Sequence, residues 1–166
     1  MRAKSITPLV GAAVVGLALT AQALALPAFT TAPKTASPSG DAAELSNAAA
    51  GCHATFDRFV IPARFATPGY DVRYVPRIVA DPSGRPVSLL GAKRIRARFN
   101  LAAGHDNRGT NLLAGTLAPR CPNLLQVKKA GDFEGTVSFG LGLKHMTGFR
   151  VFRLTNPTRV VIDIAH

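Results

Sequence analysis

Three arginines at alternating positions are the residues whose type and spacing most clearly suggest binding chemistry. Arg94, Arg96 and Arg98 alternate with apolar residues over positions 94–101. Alternate side chains of a strand project from one face about 6.8 Å apart, so these guanidinium groups are expected to share a face over about 13 Å. Guanidinium groups pair well with phosphate and carboxylate oxygens. The spacing predicts a docking face for an anionic ligand, and the alternative is a solvated sheet face.

Two later arginines are candidates for the same surface. Arg150 and Arg153 lie in another apolar segment near the end of the sequence. Together with Lys93, they extend the basic face if their strand lies beside the strand of the triplet. Which strands pair is left open by the residues alone.

Residues suited to catalysis or metal binding are few and scattered. The chain has nine Asp and Glu residues and four histidines, and none is arranged as a zinc, hydrolase or phosphate-binding motif. His105 and Asp106 are adjacent in a loop, which favours a solvated turn over a general base. Asp57 and Asp163 are expected to form ion pairs with neighbouring arginines at strand edges. The sequence predicts a protein that is not an enzyme, with no catalytic residue, metal site or cofactor.

The first residues have the order of a secretory signal. Arg2 and Lys4 precede an apolar run over residues 9–26, and small residues suited to signal-peptidase cleavage follow at 21–25. We therefore expect a signal peptide at 1–25 and a protein that is secreted or associated with the cell wall. The alternative is a leader retained as a membrane anchor, since the run is long enough to span.

Export to an oxidising compartment determines the expected redox state of the two cysteines. Cys52 and Cys121 are the only cysteines of the chain, and an oxidising compartment favours a disulfide between them. The alternative is a pair of buried free thiols.

Residues 26–51 are expected to be a linker. They are rich in Pro, Ala, Ser and Thr and poor in large apolar residues, a composition typical of flexible segments. A short helix is expected over 41–50, with Asp41 as its cap. The folded domain is then predicted over 52–166.

The folded domain is predicted to be all-β because its apolar residues recur with a period of two. Strands are expected at 56–61, 70–75, 87–90, 94–101, 124–129, 135–143, 149–154 and 159–164. Turns are expected at 67–69, 81–84, 104–107, 131–132 and 156–157. Short strands at this spacing indicate an antiparallel sandwich or barrel. Its core is predicted to include Ile95, Phe99, Val137, Phe139, Val151, Ile162 and Ile164.

Small residues share one face of the predicted strand 135–143. Gly140 and Gly142 lie there with Thr136 and Ser138. Glycines in a strand indicate either close approach by another backbone or a ligand, or a bend in a curved sheet. Tyr70 and Tyr74, which also share a face, are expected at the edge of the core rather than as a sugar-stacking surface.

Several segments of the chain resemble one known family. They are FDRFVI at 56–61, PGYDVRYV at 68–75, AGDFEGTVSFGLGL at 130–143, FRVFRLTNP at 149–157 and RVVIDI at 159–164. This pattern resembles the AMIN-like domain of exported proteins from high-GC Gram-positive bacteria. The resemblance implies an antiparallel β-sandwich, related to the AMIN domain of cell-wall amidases, that localises proteins in the envelope and binds peptidoglycan or associated polymers. It implies no catalytic residues.

The charge of the chain limits its partners. A formal net charge of +11 favours partners of opposite sign. Nucleic acid is the usual partner of a strongly basic protein, but an exported protein is separated from the nucleic acid of the cell. We expect peptidoglycan or an anionic glycopolymer as ligand, with a membrane contact only if the leader is retained. The alternative partner is an envelope protein that pairs with an exposed strand edge.

Overall fold

The computed structural model of the chain describes residues 25–166. The predicted signal peptide lies outside the described residues apart from its last position, Ala25. Within 25–166 no helix is long and apolar enough to cross a membrane, and the regular elements of this range are all strands.

The strands, numbered in chain order, are β1 (Lys34–Ala36), β2 (Ala43–Leu45), β3 (Ala49–Cys52), β4 (Phe56–Arg64), β5 (Gly69–Tyr74), β6 (Lys93–Asn100), β7 (Ala102–Ala103), β8 (Thr116–Leu117), β9 (Leu124–Phe133), β10 (Thr136–Leu143), β11 (Phe149–Leu154) and β12 (Arg159–Ala165). Sheet 1 has the order β1-β5-β6-β10-β9-β8, and sheet 2 has the order β11-β12-β4-β2-β7 with β3 also paired to β4. Neighbouring strands are antiparallel except β2 and β7, which are parallel. The predicted all-β sandwich is confirmed.

The core lies between the inner faces of the two sheets. Phe59 of sheet 2 packs against Phe139 of sheet 1 with ring centroids 5.2 Å apart, and Phe99 meets the same ring at 6.2 Å. The seven residues predicted for the core are all buried. The period-two pattern identified them because alternate residues of a strand point to one face.

The alternation predicted over 94–101 ends one residue early. Ile95, Ala97 and Phe99 are buried, but Leu101 lies beyond β6 with φ at 52° and remains 43% exposed. A residue in this left-handed conformation no longer follows the pleat of the strand, so its side chain leaves the apolar face.

Two sequence predictions about the strands and turns of the segment 52–166 are wrong. Residues 87–90 form a loop rather than a strand. The predicted turn at 131–132 lies inside β9, and the hairpin instead turns at Glu134 and Gly135, whose φ values are 48° and 69°. Two successive positive φ values give a tight hairpin turn that follows the twist of the strands.

The segment predicted as a flexible linker contributes strands to both sheets. β1 pairs with β5, and β2 pairs with β4 and β7. The short helix predicted over 41–50 is wrong, because this segment contains β2 and β3. The composition of this segment wrongly suggested a flexible linker. A short strand that adds to an existing sheet is held by backbone hydrogen bonds to its neighbour, so it needs few large side chains of its own.

The glycine face of β10 is covered by the loop between β5 and β6. A Cβ built on Gly140 would lie 2.7 Å from Ile78 Cγ1, and one on Gly142 would collide with the carbonyl oxygen of Leu90. Close approach by another segment, one of the two predicted explanations, therefore accounts for these glycines. The pairing of β10 with β9 also shifts register at two places, so the strand is irregular as well.

A disulfide joins Cys52 to Cys121, as predicted. Their Cα atoms are 5.3 Å apart and 69 residues separate them in sequence. The bridge attaches the end of β3 to the segment that leads into β9.

Candidate functional site

The predicted arginine row projects from the outer face of sheet 1. Arg94, Arg96 and Arg98 are partly exposed, whereas the residues between them are buried. Because β5 pairs with β6, Arg73 lies directly opposite Arg96 and Asp71 opposite Arg98. The predicted orientation of the triplet is therefore confirmed, and a fourth arginine lies on the same face.

One carboxylate lies among these arginines and is shared unequally. Asp71 accepts hydrogen bonds from Arg73 at 2.6 and 2.8 Å. Its contact with Arg96 is longer, at 3.8 Å. The forked, close contact satisfies Arg73, and Arg96 is only partly neutralised.

Arg96 and Arg98 retain unused hydrogen-bonding capacity. The Nε atoms of both side chains are buried and have no hydrogen-bond partner among residues 25–166. Arg98 also takes part in none of the ion pairs found within residues 25–166. Both residues are nevertheless partly exposed, and a guanidinium group that is not fully neutralised is suited to receive an anion.

Clefts open at both ends of the row. Near Arg94 a cleft of about 440 Å³ is bounded by Tyr74, Lys93 and Met146. Near Arg98 a second cleft of about 310 Å³ is bounded by residues of the 81–84 turn and of the β9–β10 hairpin. The row thus connects two recesses on one face of the molecule.

Arg150 and Arg153 do not extend this surface, because the strand that carries them does not lie beside β6. They lie on β11, an edge strand of sheet 2, whereas β6 is in sheet 1. Strand adjacency is set by long-range pairing, which residue pattern does not reveal. The five predicted arginines are therefore separated into an assembled triplet and two residues elsewhere.

Arg150 and Arg153 are also occupied by other groups. Arg150 contacts Asp163 at 2.9 Å and lies over the Phe29 ring at 4.3 Å. Arg153 donates through Nη2 to the carbonyl oxygens of Ser37 and Pro68, both at 2.6 Å, while its buried Nε has no partner among residues 25–166. Their interactions tie β11 to neighbouring segments, which is a structural role.

The two aspartates predicted at strand edges are fully buried. Asp163 pairs with Arg58 and Arg150 across strands rather than with Arg159, its neighbour in sequence. These pairings follow the register of β4, β12 and β11, which places the three residues side by side.

Asp57 is bound mainly by the backbone instead of by Arg58. It accepts hydrogen bonds from the backbone N–H groups of Asn123 and Leu124, both at 2.7 Å. His166 Nε2 lies 3.4 Å from its other oxygen. Asp57 also lies close to Cys52 and Cys121, but both sulfurs are in the disulfide and are not available as metal ligands.

The loop histidine contacts an aspartate of β9 rather than its neighbour in sequence. His105 Nδ1 lies 2.9 Å from Asp132, not against Asp106. Asp106 accepts hydrogen bonds from the backbone of Thr110 and Arg108, and the Thr110 bond is the main reason that its pKa is lowered. Asp106 therefore closes a local turn, as the sequence favoured.

The tyrosines lie at the edge of the core, as predicted. Both pack partly buried against the core. The Tyr74 hydroxyl donates to the carbonyl oxygen of Thr147 at 2.8 Å, and burial raises its pKa. Neither ring is presented as a flat exposed platform.

Residue pattern did not single out Asp71, Arg73, Asp81 or Glu134 as parts of this surface. The sequence pattern could have identified Asp71 and Arg73. These charged residues alternate with the apolar Val72, and the segment precedes a second strand with alternating charges. Asp81 comes from the loop between β5 and β6, and its position beside Arg98 depends on how that loop folds over β10.

Comparison with known proteins gives one match. A family model described as the AMIN-like domain matches residues 43–166. None of the curated proteins matches, and none of the solved structures does. The matched range begins at β2 and includes the whole arginine row.

Proposed function

The chain belongs to the AMIN-like domain family, and from this membership we propose that it is an exported, non-enzymatic module that binds an anionic cell-wall polymer through the outer face of sheet 1. An AMIN-like domain suggests a cell-envelope module. The disulfide is consistent with a protein outside the cytoplasm. The polymer is peptidoglycan or an anionic glycopolymer attached to it.

The observation that carries this proposal is the state of Arg96 and Arg98. Within residues 25–166 Arg98 takes part in no ion pair and Arg96 has only the 3.8 Å contact with Asp71, while Arg58, Arg73 and Arg150 are held by carboxylates at 2.6 to 2.9 Å. A guanidinium group already paired gains little from a second anion. An unpaired one on a partly exposed face gains a charge-assisted hydrogen bond.

The arrangement suits a repeating anion better than a single one. The three arginines extend along one strand over about 13 Å, and both ends of the row open into clefts. A polymer with carboxylates or phosphates at intervals can contact several guanidinium groups at once. Weak individual contacts then add to a useful affinity.

The strand edges give less support to the alternative function, in which an envelope protein pairs with an exposed strand. Sheet 1 ends in β1 and β8, with three and two residues. At the edge of sheet 2, β11 is bridged to Thr30 of the N-terminal segment at its first residue, Phe149. Short edge strands such as β1 and β8 are poor templates for pairing with another chain.

The test is co-sedimentation with purified wall sacculi at low salt. The variant carries Arg94→Gln, Arg96→Gln and Arg98→Gln, and we expect its sedimented fraction to fall several-fold. Its matched control carries Arg108→Gln, Arg120→Gln and Lys144→Gln, which remove the same charge at exposed positions outside the strands. Sacculi with and without their anionic polymers identify the ligand.

Equal sedimentation of wild type and the Arg94, Arg96 and Arg98 variant would overturn the proposed site. Failure of wild type to sediment, with an envelope protein retained on it instead, would favour the strand-edge alternative. Circular dichroism of each variant establishes that the sheet structure is preserved.

A further inference from the structure

The cleft beside Arg98 contains carboxylates as well as a guanidinium group. Asp81 and Glu134 both line it. Asp81 and Arg98 also border an adjoining recess of about 40 Å³ together with Arg96 and Ser138. A ligand that is only anionic would meet repulsion from these two carboxylates. The cleft is therefore matched to a ligand that carries both signs of charge.

Asp81 is held in place without a cationic partner. Its backbone N–H donates to the carbonyl oxygen of Ala130 at 2.9 Å, and its side chain accepts from the Ser138 hydroxyl at 3.0 Å. Neither Asp81 nor Glu134 takes part in an ion pair within residues 25–166. A fixed carboxylate that is not neutralised is suited to a cationic group of a ligand.

Glu134 occupies a position that glutamate rarely adopts. It is the first residue of the two-residue hairpin turn between β9 and β10, with φ at 48°. Asn and Asp are the residues that such turns favour, because their short polar side chains can hydrogen-bond to the local backbone at positive φ. At this turn the chain has Glu134 instead, and this residue lines the cleft.

The remaining wall of the cleft is formed by two apolar residues and by Thr136. Phe133 and Pro82 line it, and Phe133 is 45% exposed. The cleft of about 310 Å³ therefore presents a guanidinium group, two carboxylates and an apolar surface to a ligand of dipeptide size.

We propose that this cleft binds a zwitterionic amino-acid group, whose carboxylate contacts Arg98 and whose ammonium lies between Asp81 and Glu134. This inference rests on the proposed function in one respect, since wall peptides are the source of such groups nearest to an envelope module. The same chemistry is present in free amino acids and dipeptides. The site would give the module a preference for peptide-bearing wall over phosphate polymers.

The first experiment titrates the protein with alanyl-alanine and follows its backbone amides by NMR. We expect shifts at residues 81–84 and 131–138 with an affinity in the millimolar range, about 4 kcal/mol of binding free energy. Acetylating the amino group of the dipeptide should weaken binding about tenfold, because the ion pairs with the carboxylates are lost. Amidating its carboxylate should weaken binding by a similar factor.

Variants assign the ammonium site. Asp81→Asn with Glu134→Gln should reduce wild-type affinity about tenfold and abolish the preference for the unacetylated dipeptide. Asp41→Asn, at an exposed carboxylate before β2, should change neither. Glu134→Asn should weaken dipeptide binding while raising the melting temperature, since Asn suits the turn. Lost binding in a more stable protein is not explained by unfolding.

The outcomes separate this inference from the proposed function. Equal or tighter binding of the acetylated dipeptide would overturn the zwitterion site and leave the arginine row as a plain anion site. Absence of any dipeptide shift would also overturn it. Sacculi with their stem peptides removed identify the source, because binding through wall peptides should then fall. Sedimentation unchanged by peptide removal, in a protein that still binds the dipeptide, would assign the site to free amino acids or peptides.

Discussion

At the scale of single residues, the partner of a charged group decides what that group can do. Arg58 and Arg150 hold the buried Asp163, so their charge stabilises the fold. Arg98 has the same chemistry but takes part in none of the ion pairs found within residues 25–166. Residue type alone therefore suggested five basic-face arginines, and only the contacts distinguish structural from available ones.

Asp57 provides a stability prediction at this scale. It is fully buried and accepts two backbone hydrogen bonds. Asp57→Ala would leave both N–H groups buried without partners, so we expect the free energy of unfolding to fall by about 3 kcal/mol. Asp41→Ala, at an exposed position, should stay within about 0.5 kcal/mol of wild type. Urea unfolding measures both, and equal midpoints would refute the role of Asp57.

At the scale of elements, the loop between β5 and β6 and strand β10 depend on each other. The loop packs on Gly140 and Gly142 of that strand. It also carries Asp81, which bonds to Ser138 on the same strand. The glycines thus leave room for the loop that places a carboxylate beside the arginine row.

Gly142→Ala tests this dependence. The added Cβ would meet the carbonyl oxygen of Leu90, and relieving that overlap should cost about 1 to 3 kcal/mol of unfolding free energy. Gly115→Ala is the matched control, because a Cβ there meets nothing within 4 Å. Denaturant midpoints measure the two variants. A Gly142→Ala protein as stable as the control would contradict close packing of the loop.

The elements that could be predicted from sequence are those with a strong period of two. The burial of Ile95 and Phe99 followed from alternation, because one face of β6 must pack on the core. The position of β11 did not follow, since pairing between distant strands leaves no local pattern. Residues 26–51 were expected to be a flexible linker for a related reason. Their strands β1 and β2 are stabilised by the strands that they join, and composition alone does not show this pairing.

At the scale of the whole molecule, long-range connections attach the N-terminal segment to the sandwich. Thr30 pairs with Phe149 of sheet 2, while β1 pairs with β5 of sheet 1. The Cys52–Cys121 disulfide then fixes the end of β3. The segment before β4 is therefore part of the folded unit.

Removal of the disulfide should lower stability without altering the arginine row. A loop of this length is worth about 4 kcal/mol in the chain-entropy model, and the bridge lies in neither cleft beside the arginine row. The Cys52→Ala, Cys121→Ala variant should melt at a lower temperature yet sediment with sacculi as wild type does, at a temperature where it is folded. Lost sedimentation by a folded variant would connect the bridge to the binding surface.

The salt dependence of binding to wall sacculi tests whether the arginine row is the binding surface. Raising ionic strength from 0.1 to 1 M shortens the Debye length from about 10 to about 3 Å, so binding through the exposed face of Arg94, Arg96 and Arg98 should weaken steeply in wild type. The variant with these three arginines changed to Gln should bind weakly at low salt and change little as salt rises, while the Arg108, Arg120 and Lys144 control should follow wild type. Superimposable salt curves for wild type and the Arg94, Arg96 and Arg98 variant would contradict the account.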